Sequence, residues 1–76
     1  MIEYYAVIYK SDPATGGEYT TETEHRFVAT EDALSFKQAK AFCKYQFNSD
    51  PLFAGADIKT ERGEVVYELS AWGEEC

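Results

Sequence analysis

Ala33-Leu-Ser-Phe-Lys-Gln-Ala-Lys-Ala-Phe-Cys-Lys-Tyr-Gln-Phe-Asn48 decides how the rest of the chain must be arranged, because it is the one run with helical periodicity over a useful length. Phe36, Ala39, Cys43 and Phe47, widened by Phe42 and Gln46, recur at three- and four-residue spacing and form one stripe. Lys37, Lys40 and Lys44 form another. Ser35 and Gln38 have the spacing of a capping box, in which the hydroxyl accepts an N–H of the first turn and the amide reaches back to the Ser35 N–H. The spacing predicts a helix that begins at Ser35 and stops at Asn48-Ser-Asp-Pro51, since Pro51 disfavours helical geometry at Asp50. One face of it packs and the other is basic. Lys44, nearer the end, is expected to favour the negative pole of the helix.

Working outward, Ile2–Lys10 (IEYYAVIYK) is a β-branched and aromatic run too continuous for a strand with one wet face, which places it centrally in a sheet. Ile2, Tyr4, Ala6 and Ile8 share the less polar face, suited to the helix. Tyr5, Val7 and Tyr9 share the other. The loop Ser11–Glu18 contains Pro13, Gly16 and Gly17, and Tyr19–Ala29 returns as a second strand to make a long hairpin. In it Glu22 and Glu24 project together, about 6.5–7 Å apart. After the helix, Leu52-Phe53-Ala54 offers hydrophobic cover, and Ala56–Thr60 and Val65–Trp72 flank the turn Glu61-Arg62-Gly63-Glu64, where Gly63 takes positive φ. Val65, Tyr67, Leu69 and Ala71 are expected to face the helix with Ile58, and Val66, Glu68, Ser70 and Trp72 to face away. Gly73–Cys76 is expected to fray. The pattern is an α+β fold over residues 1–76: a four-stranded antiparallel sheet, in the order ββαββ, with one helix on one face.

The 76 residues suffice for one domain near the lower limit of a self-sufficient core. Six Tyr, five Phe and one Trp supply the buried area that makes an acidic chain globular instead of disordered. The net charge is −7, and setting aside the three lysines of the helix leaves −10 on everything else. Such a charge disfavours nucleic acid backbones and anionic membranes, and it favours basic protein surfaces. Cys43 on the apolar stripe and Cys76 at the end are not expected to pair. With no signal-like segment and no apolar run of about 18 residues, the chain reads as cytoplasmic.

No glycine-rich phosphate loop, nucleophile elbow, His-paired Cys or ligand cluster is present, so the chain reads as a non-enzyme without metal or cofactor. Asp12 and Glu18 lack the spacing of a calcium loop. His25, the single histidine, reads as structural, having no partnered Ser, Cys or ligand set. Tyr5, Tyr9 and Trp72 on an antiparallel sheet invite base stacking, but stacking modules pair rings with Lys and Arg, whereas here the acids accompany them. Rings ringed by Glu suit a protein interface, with the rings as anchors and the acids steering.

The strand IEYYAVIYK, the helix LSFKQAKAFC and the closing hairpin around ERGE together resemble small acidic phage-encoded inhibitors, in particular type I anti-CRISPR proteins. The likeness covers most of the chain and is one of architecture and charge. It implies a protein of the host cytoplasm that occupies the DNA-binding region of a CRISPR surveillance complex, with acids standing in for phosphates. On that reading Glu18, Glu22, Glu24, Asp57, Glu61, Glu64 and Glu68 contact the partner together with Tyr5, Tyr9 and Trp72. Duplex DNA carries one charge per roughly 1.7 Å of axis, so alternating Glu mimic it only in part, and shape and apolar contacts must help. The alternative is a small regulatory or assembly protein that acts through homodimerisation via its aromatic sheet face or an edge strand, so the chain is expected as a monomer on the first reading or a homodimer on this one.

Overall fold

A computed structural model describes residues 2–16 and 20–75. The elements are β1 (Ile2–Ser11), a 3-10 turn (Pro13–Thr15), β2 (Thr20–Ala29), α1 (Asp32–Ser49), β3 (Phe53–Thr60) and β4 (Val65–Ser70). The four strands form one antiparallel sheet in the order β2-β1-β3-β4, with α1 packed on one face across β1, β2 and β3. This is the expected ββαββ arrangement, with β1 in the interior. The β1–β2 hairpin pairs Ile2 with Ala29 through Ser11 with Thr20, and β1 pairs with β3 from Tyr4–Thr60 to Lys10–Phe53. Both β2 and β3 are therefore antiparallel to β1, so α1 must carry the chain from one end of the sheet to the other.

That requirement explains where the helix begins. Strands of 8–10 residues are about 26–33 Å long, and a helix needs about 18 residues to cover them. Only Thr30 and Glu31 separate β2 from α1, and the helix starts at Asp32 with Glu31 as its N-cap, not at Ser35. Ser35 is fully buried, and its hydroxyl donates back to the Glu31 carbonyl at 3.5 Å, one turn earlier. It faces the sheet and cannot cap. The helix ends at Ser49, with Asp50 extended before Pro51 as expected, which leaves Lys44 more than a turn from the end and no basic residue in the last turn. The expected favour from the helix pole is thus lost.

The packed stripe is as read, with Ser35 added. Ala39 and Cys43 are fully buried beside it, and these small residues let α1 lie close over Ala6, Ile8, Ala56 and Ile58. Phe36, Phe42 and Phe47 flank them, with Phe36 edge-on to Tyr4 (5.4 Å) and Phe47 edge-on to Phe53 (5.7 Å). His25 lies on the same side, its ring 4.5 Å from that of Phe42. Burial pushes the Cys43 thiol up to about 11, with the Asp57 carboxylate adding to the shift.

Two register shifts break the simple alternation. At β3, Ala54 is extra between the pairs Tyr9–Gly55 and Lys10–Phe53, and at β4, Val66 is extra between Ile58–Tyr67 and Lys59–Val65. Val65 is therefore not under the helix as alternation predicts: both valines are about two-fifths exposed. Tyr67 and Leu69, beyond the shift, are buried as expected. The β3–β4 turn closes with the Gly63 N–H donating to the Thr60 carbonyl (2.9 Å) at φ +84°.

Residues 73–75 do not fray. The Ser70 N–H donates to the Glu74 carbonyl at 2.8 Å, Glu75 bridges to Leu69, and its carboxylate accepts from the Tyr67 hydroxyl (2.9 Å) and pairs with Lys44 (2.8 Å). Gly73 sits at φ +90° where a Cβ would lie 2.9 Å from the Phe47 ring. Polar terminal residues read as loose because their partners, Lys44 and Tyr67, are distant in sequence. The pairing expectation for Cys76 lies outside the described residues, and Cys43 is a buried free thiol.

Candidate functional site

The sheet face away from α1 is the uncovered one. Strand alternation and register place on it Glu3, Tyr5, Val7 and Tyr9 of β1, Glu22, Glu24 and Arg26 of β2, Asp57 and Lys59 of β3, and Glu68 and Ser70 of β4. One row across the sheet reads Glu24–Val7–Asp57–Glu68, and the next reads Glu22–Tyr9–Gly55–Ser70. Four of the seven candidate acids are thus neighbours. The ion pairs among the described residues are Lys10–Asp50, Arg26–Glu3 and Lys44–Glu75, and none of them engages Glu22, Glu24, Asp57 or Glu68. These four carboxylates are left facing outward without a cation.

The remaining candidates separate. Glu61 and Glu64 lie at the opposite end of the sheet, beside Arg62, where they line a hollow of about 230 Å³ with Ile2, Glu3, Tyr4 and Thr60. They do not extend the row. Glu18 lies outside the described residues. The helix lysines are partly used within the fold: Lys44 pairs with Glu75, and Lys40 stands 5.3 Å over the Tyr67 ring.

The aromatic candidates also differ from one another. Tyr5 and Tyr9 are half-buried, and each is held by a carboxylate: the Tyr5 hydroxyl donates to Glu3 (2.8 Å) and the Tyr9 hydroxyl to Asp57 (3.0 Å). Between them Val7 is only 2% exposed although no described element covers this face, because it sits among the two tyrosines along the strand and Glu24 and Asp57 across it. Burial and the Asp57 carboxylate push the Tyr9 hydroxyl up to about 12. The Tyr5 hydroxyl is raised by its bond to Glu3, whose own carboxyl is held below the usual range by hydrogen bonds from Arg26 and Tyr5. Trp72 alone is open, at 79% exposure.

Trp72 lines a groove of about 440 Å³ over β3 and β4 together with Tyr9, Asp57, Glu68, Ser70 and Glu74, with Gly55 among the backbone that forms it. Sequence reasoning named Tyr9, Asp57, Glu68 and Trp72 as partner contacts and put Ser70 on this face without a role, but it missed Glu74 and Gly55. Gly55 had a readable signal: a glycine inside a strand marks a bulge or a close approach, and its φ is +155° next to the extra residue Ala54. Glu74 had none, because its place depends on the tail folding back on β4.

Among the described residues no three His, Cys, Asp or Glu converge as metal ligands, and no helix is long and apolar enough to cross a membrane. Asp12, considered for calcium, accepts the Ala14 N–H at 3.0 Å and caps the 3-10 turn. Comparison with known protein families, with characterised sequences and with solved structures finds no match.

Proposed function

We propose that the protein is an acidic binding module whose uncovered sheet face docks on a basic, nucleic-acid-binding protein surface and keeps nucleic acid from it. The observation that carries this reading is the gathering of Glu22, Glu24, Asp57 and Glu68 on one face without a cationic partner among the described residues. In a folded protein seven basic side chains are available to offset these acids, yet Arg26 pairs with Glu3, Lys10 with Asp50 and Lys44 with Glu75 instead. Left together, like charges repel, and a cationic partner relieves that repulsion while steering association. The resemblance to type I anti-CRISPR inhibitors makes the DNA-binding region of a type I surveillance complex the partner to test first.

The test is competition. A purified type I surveillance complex, incubated with the protein, is expected to lose target DNA binding, with an effect that weakens as salt rises. Glu22→Lys with Glu24→Lys is expected to reduce the apparent affinity about tenfold or more, since each reversal removes an attraction and adds a repulsion. Binding that DNA does not compete for, or an unaltered affinity in the folded double variant, sinks the reading.

A second reading rests on a different observation. Strand β2 pairs only with β1 and leaves a ten-residue edge, whereas the tail partly covers the edge of β4. An open edge of that length is a template for a second copy. Charges along an edge are also a known guard against such pairing, and Glu22, Glu24 and Arg26 supply them, which ranks self-association second. Light scattering at low micromolar concentration separates the two: a monomer removes this second reading.

A further inference from the structure

Among the described residues, Trp72 and Tyr9 are the rings at the groove over β3 and β4, Asp57, Glu68 and Glu74 are its carboxylates, and no lysine or arginine lines it. We infer that this groove receives an arginine side chain from the surface of a partner protein. The inference rests on the reading above and names the chemistry of its anchor.

The reasons are geometric and electrostatic. Trp72 is 79% exposed, and no ring pairing among the described residues includes it. An indole left open beside a concavity is the kind of residue that dominates binding energy at interfaces. It is also the best face for a cation, and a planar guanidinium stacks on it as an ammonium does not. Acids on the groove supply acceptors for a guanidinium: Asp57 from β3 and Glu68 opposite it on β4 are partners in register, and Glu74 lines the same groove from the tail. Asp57 is oriented by the Tyr9 hydroxyl at 3.0 Å, so that carboxylate is held in place before any ligand arrives. Gly55 contributes no side chain to fill the space. A bare acidic row attracts any cation weakly; a ring beside carboxylates in a groove selects a flat one with five donors.

Trp72 is the single tryptophan, so its emission reports on the groove directly. The probe is a capped five-residue glycine peptide carrying two arginines, compared with the same peptide carrying lysine or citrulline, which keeps the shape of arginine without its charge. The arginine peptide is expected to shift Trp72 emission saturably and to move the backbone amide signals of Gly55 and Ser70. Citrulline is expected to bind about tenfold more weakly, and lysine about threefold. Asp57→Asn with Glu68→Gln, which keeps an oxygen to accept from Tyr9, is expected to reduce arginine binding about tenfold. Equal binding of arginine and citrulline, equal binding of lysine, or amide shifts confined to Glu61–Glu64 each overturns the inference. If the groove ignores the peptide while the protein still competes with DNA, this inference fails alone. If the groove takes arginine while the protein competes with DNA on no surveillance complex, the broader reading fails and this one stands.

Discussion

Gly73→Ala is the substitution that most directly tests whether the end of the chain is built into the fold. Two effects add at this position. The backbone is at φ +90°, and a side chain in left-handed geometry costs about 1–2 kcal/mol. The new Cβ would lie 2.9 Å from Phe47 Cζ and 3.2 Å from Cε1, so the ring must move, and it is edge-on to Phe53 at 5.7 Å. Overpacking of that kind costs about 1–3 kcal/mol, and the stiffer unfolded chain returns about 0.4–1 kcal/mol. The net expectation is about 2 kcal/mol, against a total of about 4–11 kcal/mol for a chain of this length. Urea unfolding followed by circular dichroism measures it. Phe47→Ala supplies the control: in that background the steric part vanishes and Gly73→Ala is expected to cost about 1 kcal/mol, a coupling well above the scatter of additive pairs. A cost below about 0.5 kcal/mol for Gly73→Ala with no coupling to Phe47 would refute the docked tail and restore the frayed one.

Charge and packing set the remaining outcomes. The carboxyls of Glu3, Asp50 and Glu75 are held below their ordinary values by Arg26, Lys10 and Lys44, respectively, so between folded and unfolded pKa the unfolded chain holds more protons. Stability from these groups is whole above the ordinary values of 4.5 for Glu and 3.8 for Asp, and it is lost as pH falls through the folded ones. The urea midpoint is expected to fall with pH below about 5, and Glu75→Gln to flatten that fall. At the other end the sign reverses: Cys43 and Tyr9 are raised to about 11 and about 12, so the native chain holds its protons longer and stability declines as pH rises from about 9. Ile58→Ala removes a fully buried side chain whose neighbours in register are Ala6 and Tyr67, and it is expected to lower stability by about 2–5 kcal/mol in the same urea assay.

Much of the site was legible because it is built on strands, where alternation assigns faces without knowledge of partners. Glu22 and Glu24 had to share a face, as did Tyr5 and Tyr9, whatever lay beside them. Their assembly with Asp57 and Glu68 was not legible. It depends on β1 pairing with β3, a contact between segments some fifty positions apart that no local pattern specifies. The same ignorance placed Glu61 and Glu64 with the row, although the turn carries them to the other end of the sheet.

Helix stripe, strand faces, hairpin turns and net charge are local or additive properties, and they were readable in the order of residues alone. Register, bulges and the start of α1 were not, because each is settled by a competition between segments, whereas its stop before Pro51 was readable from the residues. Ser35 satisfies a capping pattern, but the need to span the sheet extends the helix past it and buries its hydroxyl. Val65 satisfies alternation, but the extra residue Val66 leaves both exposed. Glu75 reads as a solvated tail, and it becomes the partner of Lys44 and Tyr67 because the chain turns back at Gly73. Composition made this an acidic protein; long-range pairing decided which of its acids stand together without an ion-pair partner among the described residues.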